Sequence, residues 1–216
     1  MNIKKREIPE SILKLQALLR RTPVTHPKYP QIQENLSKQL AGYKGELAIE
    51  YPLSFLPEKE YFIFHDLRLK VHEFYFQMDC LLISSKFILI LEIKNIAGTL
   101  YFDQNYHQLV RKQNEREEAF PDPVIQTKRH EFLLKNWLIQ HGFSNVPIQS
   151  LVVISSPYTL IRSSIELSNK VIHSDYLPEK IKQIERSYVN NVLLEKEMKS
   201  ISRKIVKQHH PHTSQS

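Results

Sequence analysis

Glu92-Ile93-Lys94 follows directly on the apolar run Phe87–Leu91. A strand that is apolar at every position is buried on both faces, so this run predicts a central strand with two opposite charges at its end. Two residues apart in a strand, Glu92 and Lys94 point to the same face. Taken alone, such a pair is the ordinary make-up of a solvated strand end. The preceding run, Phe74–Ser84, changes that reading. If the two runs close as a hairpin through Ser85-Lys86, Ser84 faces Phe87 and Asp79 faces Glu92, with β-carbons about 5 Å apart. Gln77 falls opposite Lys94 and completes a polar square. Opposed like charges destabilise a sheet unless something compensates. A hard divalent cation would do so, because Mg²⁺ takes one or two carboxylates and keeps waters for substrate. Lys94 across the diagonal is the other compensation, and it leaves one negative charge over.

The elements that must hold this square are legible around it. Ile12, Leu15, Leu18 and Leu19 make one stripe over residues 9–21, with Pro9 in the first turn. Ile32, Leu36 and Leu40 predict a second helix that stops at Gly42, and a third runs from Lys44 to Phe55. Strands are expected at Tyr61–Asp66, Phe74–Ser84 and Phe87–Lys94, and a second hairpin at Gly98–Phe102 and Tyr106–Val110. Arg111–Asp122 reads as a charged, mobile loop. Pro123–Gln140 is the strongest helix, closed by Gly142. Its stripe of Gln126, His130, Leu133 and Trp137 carries two polar residues along a core-facing surface. Strands at Gln149–Ile154 and Lys170–His173 precede a helical stretch, 178–208, interrupted near Tyr188–Asn191. The expected class is α/β: a mixed central sheet flanked by helices, with extra helices at both ends.

Composition removes other chemistries. The 216 residues, 41% hydrophobic and 25% charged, suit one globular domain with appendages. The longest purely apolar run, Phe87–Leu91, falls far short of the ~20 residues of a membrane span. No apolar segment follows Lys4-Lys5-Arg6, so no signal peptide is expected and the cytoplasm is the default compartment. Cys80 is the single cysteine, which excludes disulfides and thiolate zinc, and it reads as a small core residue. Four glycines build neither a P-loop nor a dinucleotide fingerprint. The ten histidines contain no helical zinc pair. His65, His72 and His107 follow no spacing, and Ser155-Ser156 lacks a nucleophile elbow.

Charge is distributed unevenly within a net +7. Residues 1–30 hold seven Lys/Arg against two acids, and 180–207 hold eight against three, while the centre is mildly acidic. Basic flanks around carboxylates suit a polyanion binder, and equally suit two solvated helical surfaces.

The arrangement resembles the PD-(D/E)xK nuclease superfamily, with Asp79, Glu92 and Lys94 in the motif's three roles and Met78 where the proline of the name stands. More specifically the chain is similar to NERD, or nuclease-related, domains. The matching stretches are Gly42-Tyr43-Lys44-Gly45-Glu46, Gln77-Met78-Asp79, Leu91-Glu92-Ile93-Lys94-Asn95 with Gly98, and Asp122-Pro123-Val124-Ile125-Gln126. Asp122 replaces the usual asparagine, and Tyr106-His107 stands near where a tryptophan is common. The resemblance covers roughly 41–155, leaving 1–40 as a helical extension, 156–208 as strand and helices packed on the core, and 209–216 as a disordered tail.

The resemblance implies a restriction-endonuclease-like core and a metal-dependent nuclease in DNA processing or defence. Asp79 and Glu92, the Ile93 carbonyl and Glu46 would hold one or two Mg²⁺ or Mn²⁺ ions. Lys94 would act on the attacking water, and Gln126 would orient Lys94 or substrate. Lys128 and Arg129 could contact phosphate. DNA is expected ahead of RNA, read through its backbone. The alternative is a catalytically silent nucleic-acid-binding or protein-interaction module on the same fold.

Overall fold

Strand β4 (Ile88–Lys94) is the axis around which the molecule is built, and its first six residues are buried. In the computed structural model, which describes residues 1–211, it lies between an antiparallel and a parallel neighbour. These are β3 (Phe74–Ile83) and β8 (Ile148–Ile154). With β1 (Asn2–Lys4), β2 (Phe62–Val71) and β10 (Val171–His173) they form a six-stranded mixed sheet of order β1-β2-β3-β4-β8-β10. This is the mixed α/β architecture of a restriction-endonuclease-like fold.

Alternation along β4 feeds two cores. Ile88 and Ile90 pack with Leu134, Trp137 and Leu138 of α4 (Pro123–Gln140) and with Met198, Ile201 and Ile205 of α6 (Glu195–Lys207). Leu89, Leu91 and Ile93 pack on the other face against Ile49, Leu53 and Leu177, and against Ile181 of α5 (Leu177–Arg186). Each fully buried large side chain contributes roughly 1.5–3 kcal/mol, so both faces are firmly covered. Trp137 is fully buried; its Nε1 donates to Gln208 Oε1 at 2.9 Å and its ring stacks on His141. That contact ties the end of α6 to α4.

The β3–β4 turn has the four-residue form that the hairpin register requires. Ser84 N donates to the Phe87 carbonyl at 3.0 Å, and Ser84 Oγ accepts from Lys86 N and Phe87 N. The recorded pairs run from Ile83–Ile88 to Cys80–Leu91, in the register expected from sequence.

Several expectations are corrected. Helix α2 (Tyr29–Leu47) runs straight through Gly42 and Gly45 instead of stopping, and a short turn of helix, α3 (Glu50–Leu53), follows. One exposed glycine costs a helix only about 1 kcal/mol, which tertiary packing overrides. Residues 111–122 are not a loop. They continue β6 (Gln108–Gln113) into β7 (Arg116–Pro121), paired in a hairpin. Asn114 and Glu115, both at positive φ, make its turn. Together with β5 (Thr99–Asp103) and β9 (Leu160–Arg162) they form a second sheet of order β7-β6-β5-β9. Strands β1 and β9 were not expected, being too short to show a period. Helix α1 (Glu10–Arg21) falls where expected. His209 and His210 are bound to the backbone of Arg68, so these two residues do not belong to the disordered tail expected from His209. Its remainder, 212–216, lies outside the described residues. No helix among the described residues is long and apolar enough to cross a membrane.

Gly45 is where α2 meets the end of β4. A β-carbon there would stand 2.2 Å from Asn95 Cβ and 2.7 Å from Ser155 Oγ, whereas one at Gly42 would meet nothing within 4 Å. The two glycines therefore predict opposite outcomes. Gly45→Ala should destabilise by about 1–3 kcal/mol through overpacking. Gly42→Ala should stabilise by up to about 1 kcal/mol through helix propensity. Urea midpoints at constant m-value check both, and a neutral Gly45→Ala would refute the close approach.

Candidate active site

The site begins with a defect in the sheet. Pairing of β2 with β3 runs from Phe62–Ile83 to His65–Cys80, then resumes at Leu67–Met78, passing over Asp66 and Asp79. Asp66 has a left-handed φ of 48°, a conformation that aspartate tolerates better than most residues. Alternation shifts by one residue here, so that Phe64 and Leu67 face the same core, as do Met78 and Leu81. An irregularity of this kind bends both strands and re-aims a side chain.

That side chain is Asp79. The β3–β4 ladder ends at Cys80–Leu91, and one step further the Asp79 Oδ2 takes the Ile93 N–H at 2.8 Å. Asp79 thus stands beside Glu92 at the end of the ladder. The rest of the expected square is not formed as a ladder. Gln77 pairs with Arg68 on β2, and Lys94 pairs with Ile154 on β8, because β3 leaves β4 after Cys80.

Glu92 is 2% exposed, and Lys94 Nζ donates to its Oε1 at 2.7 Å. The other oxygen, Oε2, is buried without a hydrogen-bond partner. Helix α4 closes this face. Gln126 Oε1 is 3.5 Å from Lys94 Nζ, and His130 Nδ1, also buried and unpartnered, is 4.0 Å from Glu92 Oε2. Burial, then the charges of Arg129 and Lys94, push His130 down to about 4, so it is neutral at ordinary pH. The stripe expected on α4 therefore points at the strand-end charges. Asp122 caps this helix, its Oδ1 accepting from Val124 N at 2.8 Å, so aspartate does the N-cap work open to asparagine. Lys128 and Arg129 are exposed on α4, immediately before His130.

Asp79 is held well above the usual carboxylate range, first by burial, then by the charges of Glu92 and Glu46. The Ile93 N–H and Lys94 act against this without cancelling it. Glu46 comes from α2, positioned by the Gly45 contact and by Asn95 Nδ2, which donates to the Ala41 carbonyl at 2.7 Å. Its carboxylate is ion-paired to Arg6. Burial still outweighs that pair and holds Glu46 above its ordinary value.

Arg6 is the residue sequence reasoning missed. Its side chain is fully buried. Nη1 pairs with Glu46 and with Asp66 at 2.7 Å; Nη2 donates to the Asp79 carbonyl at 2.9 Å and approaches His65 Nδ1 at 3.3 Å. A guanidinium only donates, so His65 Nδ1 is the acceptor. Burial, with Arg6 and Lys4 nearby, pushes His65 down to about 4, consistent with that neutral form. No local pattern in residues 1–9 signals that this arginine would be buried sixty residues away in the fold.

The donor set suits a hard cation. Among the described residues, no three His, Cys, Asp or Glu side chains are gathered as a ready metal cluster. Mg²⁺ needs only one or two carboxylates, with waters and substrate supplying the rest. The unpartnered Glu92 Oε2 and the Asp79 carboxyl, whose ionisation burial and the neighbouring carboxylates oppose, are oxygen donors beside which a divalent ion would supply positive charge.

A family model described as a nuclease-related domain matches residues 41–155. No curated protein and no solved structure matches the chain.

Proposed function

Because the chain belongs to the nuclease-related (NERD) domain family, within the PD-(D/E)xK-like nucleases, we propose that it is a metal-dependent phosphodiesterase acting on nucleic acid, DNA foremost. The observation that carries this reading is the strand-end group of Asp79, Glu92 and Lys94, with a buried carboxylate oxygen left unpartnered. Asp79 and Glu92, with the Ile93 carbonyl, would hold one or two Mg²⁺ or Mn²⁺ ions. A bound ion supplies Lewis-acid charge at the scissile phosphate.

The side chains have distinct tasks. Lys94, fixed between Glu92 and Gln126, orients the attacking water and offsets negative charge developing on the phosphate oxygens. Gln126 holds the Lys94 ammonium on the α4 side. Glu46 stands beside the carboxylate pair. Lys128 and Arg129, exposed one turn or less beyond Gln126, would meet phosphates. The direct test is cleavage of labelled single-stranded, duplex and flap DNA, and of matching RNA, with Mg²⁺ or Mn²⁺. Metal-dependent hydrolysis is expected. Binding without cleavage on every substrate would replace the enzyme by a nucleic-acid-binding module.

The basic flanks supply a second prediction. Lys4 and Arg6 are committed inside the molecule, but Lys199, Arg203 and Lys207 line one groove with Met1 and Ile3, so the two flanks meet. Each phosphate contact contributes about 0.9 to the slope of log affinity against log salt on duplex DNA. Replacing Lys199, Arg203 and Lys207 by alanine should lower that slope by up to about 3. An unchanged slope in a salt titration would leave these side chains as solvated charge.

A further inference from the structure

The N-terminal arm, residues 1–9, lies outside the matched domain yet contributes the group nearest to Glu46. It enters as β1, which pairs parallel with β2 through Asn2–Ile63 and Lys4–Phe64. Lys4 Nζ then donates to the His65 carbonyl at 2.9 Å, fixing the chain just before Arg6. The guanidinium that follows occupies the gap left where β2 and β3 fail to pair at Asp66 and Asp79. It satisfies the freed Asp79 carbonyl and grips Glu46 and Asp66 at once. Its Nε remains buried without a partner, so the group is held there by its two carboxylates and its carbonyl contact, not by a complete hydrogen-bond shell.

Charge makes this position consequential. Glu46 also lies close enough to feel Glu92, Asp79 and Lys94. It is a third carboxylate at the edge of a two-carboxylate site, and a guanidinium already has it. A cation at Asp79 and Glu92 would have to compete with Arg6 for Glu46.

We infer that Arg6 is a positioning residue that keeps Glu46 out of the metal's ligand set, so that the N-terminal arm limits the centre to Asp79 and Glu92. This rests on the reading of those two carboxylates as metal ligands. It departs from the simpler expectation that Glu46 is itself a ligand. Removing Arg6 takes away a positive charge beside the ion and frees a hard anionic donor. Both changes tighten cation binding, whereas a purely structural loss would weaken it.

The experiment is Mn²⁺ titration of the 216-residue chain at fixed pH, by calorimetry and by loss of the free-ion electron paramagnetic resonance signal. Arg6→Met should tighten Mn²⁺ binding by about tenfold, since affinity at such sites follows the number of charged oxygen ligands. Arg6→Lys keeps the charge but cannot fork across Glu46, Asp66 and the Asp79 carbonyl, and should fall between. Glu46→Gln in the wild-type background should change affinity less than twofold, and in the Arg6→Met background should abolish the gain. Unchanged or weaker binding in folded Arg6→Met overturns the inference. So does a clear loss of affinity in Glu46→Gln alone, a result that stays decisive if Arg6→Met does not fold. Asp79→Asn separates the two levels. If wild type binds Mn²⁺ and Asp79→Asn does not, the metal reading stands whatever Arg6 does. If neither wild type nor Arg6→Met binds, the metal reading itself fails and this inference falls with it.

Discussion

Asp79→Ala and Glu92→Ala should each reduce phosphodiester hydrolysis by several orders of magnitude, since each removes one of two carboxylates proposed to hold the ion. Lys94→Ala should cost about 10²–10³ in kcat, the usual effect of removing one charge-stabilising donor. The three differ in what else they lose. Lys94→Ala should still bind Mn²⁺, because its task lies at the water and the phosphate. It should also lower thermal stability, because Glu92 is 2% exposed and would be left without its 2.7 Å partner. Asp79→Ala should behave in the opposite way, losing the ion while relieving repulsion with Glu92 and Glu46. Single-turnover cleavage, metal titration and melting of the three variants make the comparison. Full activity in Asp79→Ala or Lys94→Ala would remove the assignment.

The second large effect is on stability. A ligand that binds only the folded state at a hundred times its Kd adds about 2.7 kcal/mol. For a chain of this size that raises Tm by roughly 5–10 °C. Wild type should show such a shift with Mn²⁺ or Mg²⁺, and Asp79→Asn should not. Equal shifts in both proteins would place the ion elsewhere. In the presence of a chelator the order reverses. The folded-state pKa of Asp79 lies above its unfolded value, so the folded protein binds the extra proton and stability falls as pH rises through that interval. Metal-free Asp79→Asn should therefore melt above wild type at neutral pH, with the gap closing once pH drops below the ordinary carboxylate range. Melting curves against pH in chelator decide it.

The sheet register was legible because alternation and an even turn leave few choices. Ser84 opposite Phe87 fixes Cys80 opposite Leu91, the last pair of the ladder, which leaves Asp79 beside the Glu92–Ile93 step. The α4 stripe was legible for the same kind of reason: Gln126, His130 and Trp137 recur at helical spacing and do face the sheet. The failures share a different cause. Regular extrapolation from Asp79 to Gln77 fails at a local irregularity, marked in the structure by Asp66 at positive φ, that has no composition signal. Arg6 depends on a three-residue parallel edge strand, set by contacts some sixty residues away. Residues 111–121 looked like a loop because they are charged, yet the charges pair across strands. Arg111 meets Glu118 at 2.5 Å and Lys112 meets Glu117 at 3.9 Å, symmetric about Asn114-Glu115. Opposite charges mirrored about an Asn-containing dipeptide were the available signal.

Trp137 is the chain's only tryptophan, and its surroundings make it a native optical probe. The indole is sealed in the core that α4 shares with α6, stacked on His141 with ring centroids 4.1 Å apart and hydrogen-bonded to Gln208. Emission from this single fluorophore reports whether the C-terminal end remains seated on the helix that also carries Gln126 and His130. Undocking α6 would hydrate the indole and red-shift its spectrum before the sheet itself opens. Its emission wavelength thus reports release of the helix, with no label added to the protein.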